Sequence, residues 1–156
     1  MALSGIFKTA VDACRSLLRP TPLSQSSMQF AYTILYVEDV PRSLSFYRQA
    51  FGFAVKFQHE SGDFGELGTG PTALAFSSRR LMAELGKNPV PPRAEAPSSE
   101  IAFTTADVAA ALARALEAGA RLVQSPQQMP WGQTVAYVAD PDGFLVELCT
   151  PMSTAA

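Results

Sequence analysis

Histidine, cysteine and tryptophan are scarce in this chain of 156 residues, which has one, two and one of them respectively. Because His59 is the only histidine, a metal site that needs two histidines is excluded within one chain. The two cysteines, Cys14 and Cys149, lie far apart and match neither a disulfide framework nor a zinc-binding spacing. This cysteine usage favours a reducing, cytoplasmic setting.

Several functional classes lack their signature in the sequence. The net charge is −2, the isoelectric point is near 5.3 and no basic run occurs, so nucleic acid is not the expected partner. No apolar run approaches the length of a membrane span, which argues against stable membrane insertion. The nucleophile motif G-x-S-x-G, the phosphate-binding P-loop and the dinucleotide-binding glycine pattern are also missing.

The composition that remains suits one globular domain, with 47% hydrophobic and 17% charged residues. Residues 1–27 differ from the rest. An apolar helical face in residues 3–18 is followed by the linker RPTPLSQSS at residues 19–27. We expect an amphipathic arm that packs on the domain or on a partner subunit; a transit-like or membrane-surface segment and a disordered tail remain alternatives.

Residues 28–152 carry a strand, a helix and three strands, and this order occurs twice. We predict one module at residues 29–86, a Pro-rich connector at 87–98 and a second module at 99–152. Asp39-Val40 and Asp107-Val108 match as helix starts with aspartate N-caps, and Gly52 and Gly119 mark the helix ends. The predicted elements are strands at 32–37, 53–58, 64–67, 72–77, 100–104, 121–124, 133–138 and 144–149, and helices at 40–51 and 108–118.

Two longer motifs carry a family resemblance. LYVEDVPRSLSFYRQAFGF near the start and YVADPDGFLVEL near the end, in this order, resemble the vicinal oxygen chelate superfamily of glyoxalases, bleomycin resistance proteins and dioxygenases. The resemblance covers roughly Gln29 to Met152 and extends to glyoxalase-like members of no known function. It implies an α+β fold in which two βαβββ modules form an incomplete, cupped β-barrel with the helices outside.

The resemblance also implies a site in the concavity. Metal-using members place four ligands there, and the matching positions in this chain are Tyr32, Ala75, Glu100 and Glu147. Strand alternation independently puts Glu147 on the face opposite Val146 and Leu148, so Glu147 is expected to face the pocket with Glu100 nearby. The histidines of the usual ligand sets are missing, which argues strongly against extradiol dioxygenase chemistry.

The role of the two glutamates has three interpretations. In the first, the two glutamates share a proton and act as catalytic acid or base or as ligand-binding groups. In the second, they hold Mg, Mn, Zn or Ni together with water. In the third, their role is structural. We favour a pocket without a metal cofactor. Further ligand-binding candidates are Tyr32, Trp131, Gln133, Phe57 and Cys149, whereas His59 is expected to be an exposed turn residue.

Two functional classes follow for the whole chain. The first is a small-molecule binding protein, in the manner of bleomycin resistance proteins, in which an acidic pocket beside an aromatic ring suits a cationic, planar ligand. The alternative is a glyoxalase-like lyase or isomerase in which Glu100 or Glu147 removes a proton next to a carbonyl, with or without a divalent metal. The resemblance also implies a homodimer.

Overall fold

The computed structural model describes residues 30–152, and the predicted arm at residues 1–27 lies outside this range. The first module contains β1 (Tyr32–Val37), α1 (Val40–Phe51), β2 (Val55–Gln58), β3 (Phe64–Leu67), β4 (Ala73–Ser78) and α2 (Arg79–Glu84). The second contains β5 (Glu100–Thr104), α3 (Val108–Glu117), β6 (Arg121–Gln128), β7 (Thr134–Ala139) and β8 (Leu145–Cys149). The predicted α+β fold of two repeated modules is therefore confirmed.

The helix ends are formed by the residues that the sequence indicates. The Asp39 carboxylate accepts the backbone N–H of Arg42 at 2.9 Å, and the Asp107 carboxylate accepts that of Ala110 at 2.9 Å. Each bond satisfies a backbone donor that has no partner inside the helix. Gly52, with φ of 80°, takes the left-handed conformation that ends α1.

Each module forms one four-stranded mixed sheet, in the orders β1-β4-β3-β2 and β5-β8-β7-β6. The central pairs match residue by residue between the two sheets. Ile34 and Glu66 flank Ala75 in the first sheet, and Ala102 and Tyr137 flank Glu147 in the second. The register therefore makes Ala75 the equivalent of Glu147, as the predicted alignment of the two modules requires.

One hydrophobic core lies between the modules. It contains Leu35 and Phe76 from the first sheet, Tyr47 from α1, and Val146 and Leu148 from the second sheet, each at most 6% exposed. Helices α1 and α3 pack against each other within this core. Both sheets therefore bury one face on the helices and turn their concave faces away from the shared core. Among the described residues no strand of one sheet pairs with a strand of the other, so each sheet is an open half-barrel.

Strands β4, β7 and β8 and helix α3 differ from their predicted bounds by one residue at one or both ends, and three elements differ by more. Strand β6 extends to Gln128 instead of ending at Gln124, although Pro126 lies within it and nearly all of its residues are exposed. The short helix α2, capped by the Ser78 hydroxyl at 3.1 Å from the Leu81 nitrogen, was not predicted. Strand β2 begins at Val55, not Phe53, and Phe53 packs against the core.

The connector folds onto the second sheet. Ala94 is 4% exposed and packs on Ala139 and Leu145. Glu95 forms an ion pair with Arg121 of β6. A side chain at Gly143 would approach the Pro92 carbonyl oxygen to 2.7 Å, so the turn before β8 and the connector are in close backbone contact. The Pro-rich segment thus has a defined path despite its lack of periodicity.

Candidate functional site

Glu147 lies at the centre of a polar cluster on the concave face of the second sheet. The Tyr137 hydroxyl on the neighbouring strand β7 donates a hydrogen bond of 2.8 Å to Glu147 Oε2. The carboxyl of Glu100 on β5 and the thiol of Cys149 also lie close enough to Glu147 for it to raise their pKa values. Parallel pairing of β5 with β8 and antiparallel pairing of β7 with β8 bring these four side chains to one surface.

The neighbours of Glu147 are groups that hold their protons. Partial burial and the hydrogen bond to Glu147 raise the pKa of Tyr137 to about 12. The same two effects raise the pKa of the Cys149 thiol to about 11. Burial and the proximity of Glu147 raise the pKa of the Glu100 carboxyl, although the Glu100 residue as a whole is exposed. Glu147 therefore serves as the common acceptor, and Glu100 is the group most easily deprotonated beside it.

Within the described residues, no lysine or arginine side chain contributes a positive charge to this cluster. Burial and Glu147 are the causes of the raised Glu100 pKa, and no lysine or arginine offsets them. On the first sheet, by contrast, Glu66 is neutralised by Lys56 at 2.5 Å. A pair of carboxyl groups without a counter-charge is costly when both ionise, so the second sheet favours a ligand that supplies positive charge or hydrogen-bond donors.

Trp131 and Gln133 extend this surface at the end of β7. Trp131 Nε1 donates a hydrogen bond of 2.9 Å to Gln133 Oε1, and Gln133 Nε2 donates one of 2.6 Å to the Thr150 carbonyl oxygen. Through these two bonds Gln133 links the tryptophan to the residue that directly follows Cys149. Trp131 is 61% exposed, which leaves its ring available to a planar ligand.

Tyr32 and Phe57 lie on the other sheet. They belong to the concave face of the first module together with Phe64 and Glu66, and the shared core separates them from Glu147. In the single chain the candidate residues therefore divide between the concave faces of the two sheets, and their assembly into one site stays a prediction. His59 is an exposed turn residue whose ring bonds Ser61, as expected.

Metal binding by this donor set depends on the two carboxylates. Among residues 30–152 no group of three or more histidine, cysteine, aspartate or glutamate side chains is placed to hold a metal ion. Zn and Ni sites in proteins commonly use three or four nitrogen, sulfur or carboxylate ligands, and Tyr137 and Cys149 retain their protons here. Two carboxylates with water fit only a hard cation such as Mg or Mn.

Tyr137 and the turn Asp140–Gly143 are the important residues that the sequence analysis missed. Tyr137 could have been found, because it shares a face with Val135 and Ala139 on the strand that pairs with β8. The contacts that this turn makes with the first module could not be read from the sequence around it. Asp140 accepts the Tyr47 hydroxyl at 3.0 Å, and Asp142 forms ion pairs with Arg79 at 3.3 Å and Arg42 at 3.6 Å. These contacts hold the start of β8, and with it Glu147, against the first module.

Comparison with known proteins defines the class. Residues 29–148 match the Glyoxalase/Bleomycin resistance protein/Dioxygenase superfamily. The chain therefore belongs to this superfamily, which confirms the predicted family and its fold. A comparison with curated proteins found no significant match. No helix within the described residues is long and apolar enough to cross a membrane.

Solved structures with the same fold include a glyoxalase-related enzyme from Fulvimarina pelagi, with 25% identity, a TM-score of 0.69, and coverage of 80% of this chain and 88% of that one. A protein of unknown function from Agrobacterium tumefaciens str. C58 has 28% identity, a TM-score of 0.64, and coverage of 82% and 98%. A superfamily enzyme from Burkholderia phytofirmans PsJN has 21% identity, a TM-score of 0.66, and coverage of 79% and 98%. The last of these similarities shows the fold alone.

Proposed function

We propose that this protein binds a small organic cation on the concave face of its second module, without a resident metal. The observation that carries the proposal is the carboxyl pair Glu100–Glu147, which lies beside Tyr137 and has no counter-cation in residues 30–152. A protonated amine would supply the missing positive charge. It would also donate hydrogen bonds to both carboxylates, which would fix its orientation. The nearby exposed ring of Trp131 suits a ligand with a flat, unsaturated part.

Each half-barrel is open in the single chain, and the proposal therefore includes a homodimer. Tyr32 and Phe57 lie on the two edge strands of the first concave face and are 59% and 48% exposed, so this face presents apolar surface at both edges. A second copy that places this aromatic face over Glu147 would cover both surfaces and enclose the ligand. The two cysteines lie far apart in the sequence, which supports a cytoplasmic location for the homodimer.

The binding test uses benzylamine, with benzyl alcohol as the neutral probe of similar shape, and isothermal titration calorimetry of the full chain. We expect benzylamine to bind and benzyl alcohol to bind at least tenfold more weakly. Glu147→Gln should reduce benzylamine affinity at least tenfold. Glu66→Gln is the matched control, because Glu66 is a concave-face carboxylate that Lys56 already neutralises. Equal binding of the two probes, or equal loss in both variants, would contradict the proposal.

The dimer test is light scattering at several protein concentrations. Phe57→Asp, which places a charge on the aromatic concave face, is expected to shift the protein to a monomer and to weaken benzylamine binding. Leu116→Asp is the control, since Leu116 is an exposed apolar residue on α3 at 38% exposure. A monomeric wild-type protein would remove the second copy from the proposal and leave the carboxyl pair as an open site.

The second candidate function is a lyase or isomerase that uses the same glutamates, and the proximity of the two carboxyls supports it. Glu147 would abstract a proton next to a carbonyl, and a hard cation held by both carboxylates would stabilise the negative charge that forms. Elemental analysis of tag-free protein never exposed to chelator separates the candidates. We expect no Mg or Mn above background. A full equivalent per chain that is lost in Glu147→Ala would favour the lyase or isomerase.

A further inference from the structure

A groove of about 600 Å³ lies between the connector and the turn that precedes β8. Its lining is mostly apolar and includes Val90, Pro92, Pro97, Phe144 and Leu145, with Arg93 and Ser99 as polar members. This volume lies within the range of small-molecule sites in proteins, roughly 300–1,000 Å³. Proline fixes the backbone dihedral φ, so a groove with a Pro-rich wall needs little ordering when a ligand enters.

The groove adjoins the strand positions of the carboxyl pair. Leu145 lines the groove and shares the concave face of β8 with Glu147, two residues away, which corresponds to about 7 Å along a strand. Glu100 directly follows the groove residue Ser99 and pairs with Leu145 across the sheet, at the strand spacing of about 4.8 Å. Both glutamates therefore lie within two residues of a groove-lining position, Glu100 next to Ser99 and Glu147 two residues after Leu145.

The groove is built into the fold and is not a gap beside a loose loop. Ala94 packs on Leu145 and Ala139, and Arg121 holds the connector through Glu95. At the rim, Val90 is 80% exposed and plays no part in the core. An exposed apolar side chain on the wall of a formed groove favours contact with an apolar group.

We infer that the groove takes the apolar tail of the ligand whose protonated amine binds Glu100 and Glu147. This inference rests on the proposed function and narrows its ligand class to amphiphilic cations: an ammonium group with an apolar chain or ring system extending several carbon atoms from it. Arg93, on the groove wall, repels a second positive charge, so the far end of the ligand is neutral or anionic.

The experiment measures the affinity of the full chain for straight-chain primary amines from butylamine to octylamine by isothermal titration calorimetry. Each methylene that enters the groove is expected to increase affinity about fourfold, from the free energy of burying one CH₂ group. Val90→Asp should abolish this dependence on chain length. Leu85→Asp is the matched control, because Leu85 is 64% exposed and lies outside the groove.

The outcomes separate the groove from the carboxyl pair. If amines bind and need Glu147, but affinity does not change with chain length or changes equally in Val90→Asp, the inference about the groove is wrong and the proposed function stands. If affinity rises with chain length and remains unchanged in Glu147→Gln, the ammonium group does not bind at the carboxyl pair. That result would overturn the joint site and the proposed function together.

Discussion

The Tyr47 hydroxyl donates a hydrogen bond of 3.0 Å to Asp140 Oδ2 and thereby joins helix α1 of the first module to the turn before β8 in the second. Both residues are buried, with Tyr47 fully enclosed and Asp140 at 5% exposure. Burial raises the pKa of the Tyr47 phenol and of the Asp140 carboxyl group. The Tyr47 hydroxyl therefore keeps its proton and donates a hydrogen bond to a carboxyl group that has little access to water. The position of the Glu147 strand thus depends on side chains of the other module.

Tyr47→Phe removes this donor and leaves Asp140 Oδ2 without its buried partner. We expect a loss of about 1–3 kcal/mol in the free energy of unfolding, measured by urea denaturation. Tyr32→Phe is the control, because the Tyr32 ring is 59% exposed and its hydroxyl has water as an alternative partner. Equal stability of the two variants would show that the Tyr47 hydroxyl contributes nothing at this boundary.

Arg79→Met tests the ion pair with Asp142, whose side chain is only 2% exposed. Loss of a partner from a buried charge costs about 3 kcal/mol, even though Arg42 and Ser43 still contact Asp142. Arg80→Met is the neighbouring control: Arg80 is 64% exposed and its ion pairs with Asp63 and Glu84 are on the surface. Thermal unfolding should therefore shift far more for Arg79→Met, and a reversed order would refute the anchoring role of Asp142.

Gly143→Ala and Gly70→Ala form a matched pair for the connector contact. Both glycines have φ of 103°, so alanine is strained by a similar amount, about 1–3 kcal/mol, at both positions. Only at Gly143 would the new Cβ also meet a backbone atom, the Pro92 carbonyl oxygen at 2.7 Å, whereas at Gly70 no atom of residues 30–152 lies within 4 Å. We expect Gly143→Ala to be the less stable variant in urea denaturation. Equal losses would mean that the connector moves away from the turn freely.

Much of the fold was predictable where sequence signals are local. Strand β1 and helix α1 begin and end at the predicted residues, because alternation, an aspartate N-cap and a terminal glycine coincide there. Helix α2 was missed because six residues are too few to show helical periodicity. The full length of β6 was missed because this edge strand is exposed along most of its length and carries no amphipathic pattern.

The candidate site was predictable only where its residues are marked by local sequence patterns. Alternation along β8 and β5 is a local signal, and it placed Glu147 and Glu100 on one face. The anchoring of Asp142 by Arg79 depends on residues 63 positions apart in the chain, and a turn motif gives no indication of it. The separation of Tyr32 and Phe57 from the glutamates follows from how the modules pack, which strand patterns do not determine.

Glu100→Gln tests the coupling between the two carboxyls through the pH dependence of stability. Because burial and Glu147 raise the pKa of Glu100 in the folded protein, the folded state binds a proton that the unfolded chain has released above about pH 4.3. Wild-type stability relative to Glu100→Gln should therefore fall as pH rises through this value and level off above the folded pKa. The difference should stay below about 1 kcal/mol, since solvent screens an exposed side chain.

The measurement for this variant is urea denaturation at pH 4, 5, 6, 7 and 8, with Glu60→Gln, in an exposed hairpin turn, as the control. Glutamine at residue 100 resembles the protonated glutamate and donates to Glu147 at every pH, so the two proteins should be most alike in acid. A wild-type protein that gains stability over Glu100→Gln as pH rises would mean that an unseen cation neutralises the pair. The carboxyl pair would then already have its counter-charge, and the binding of an organic cation would lose its main support.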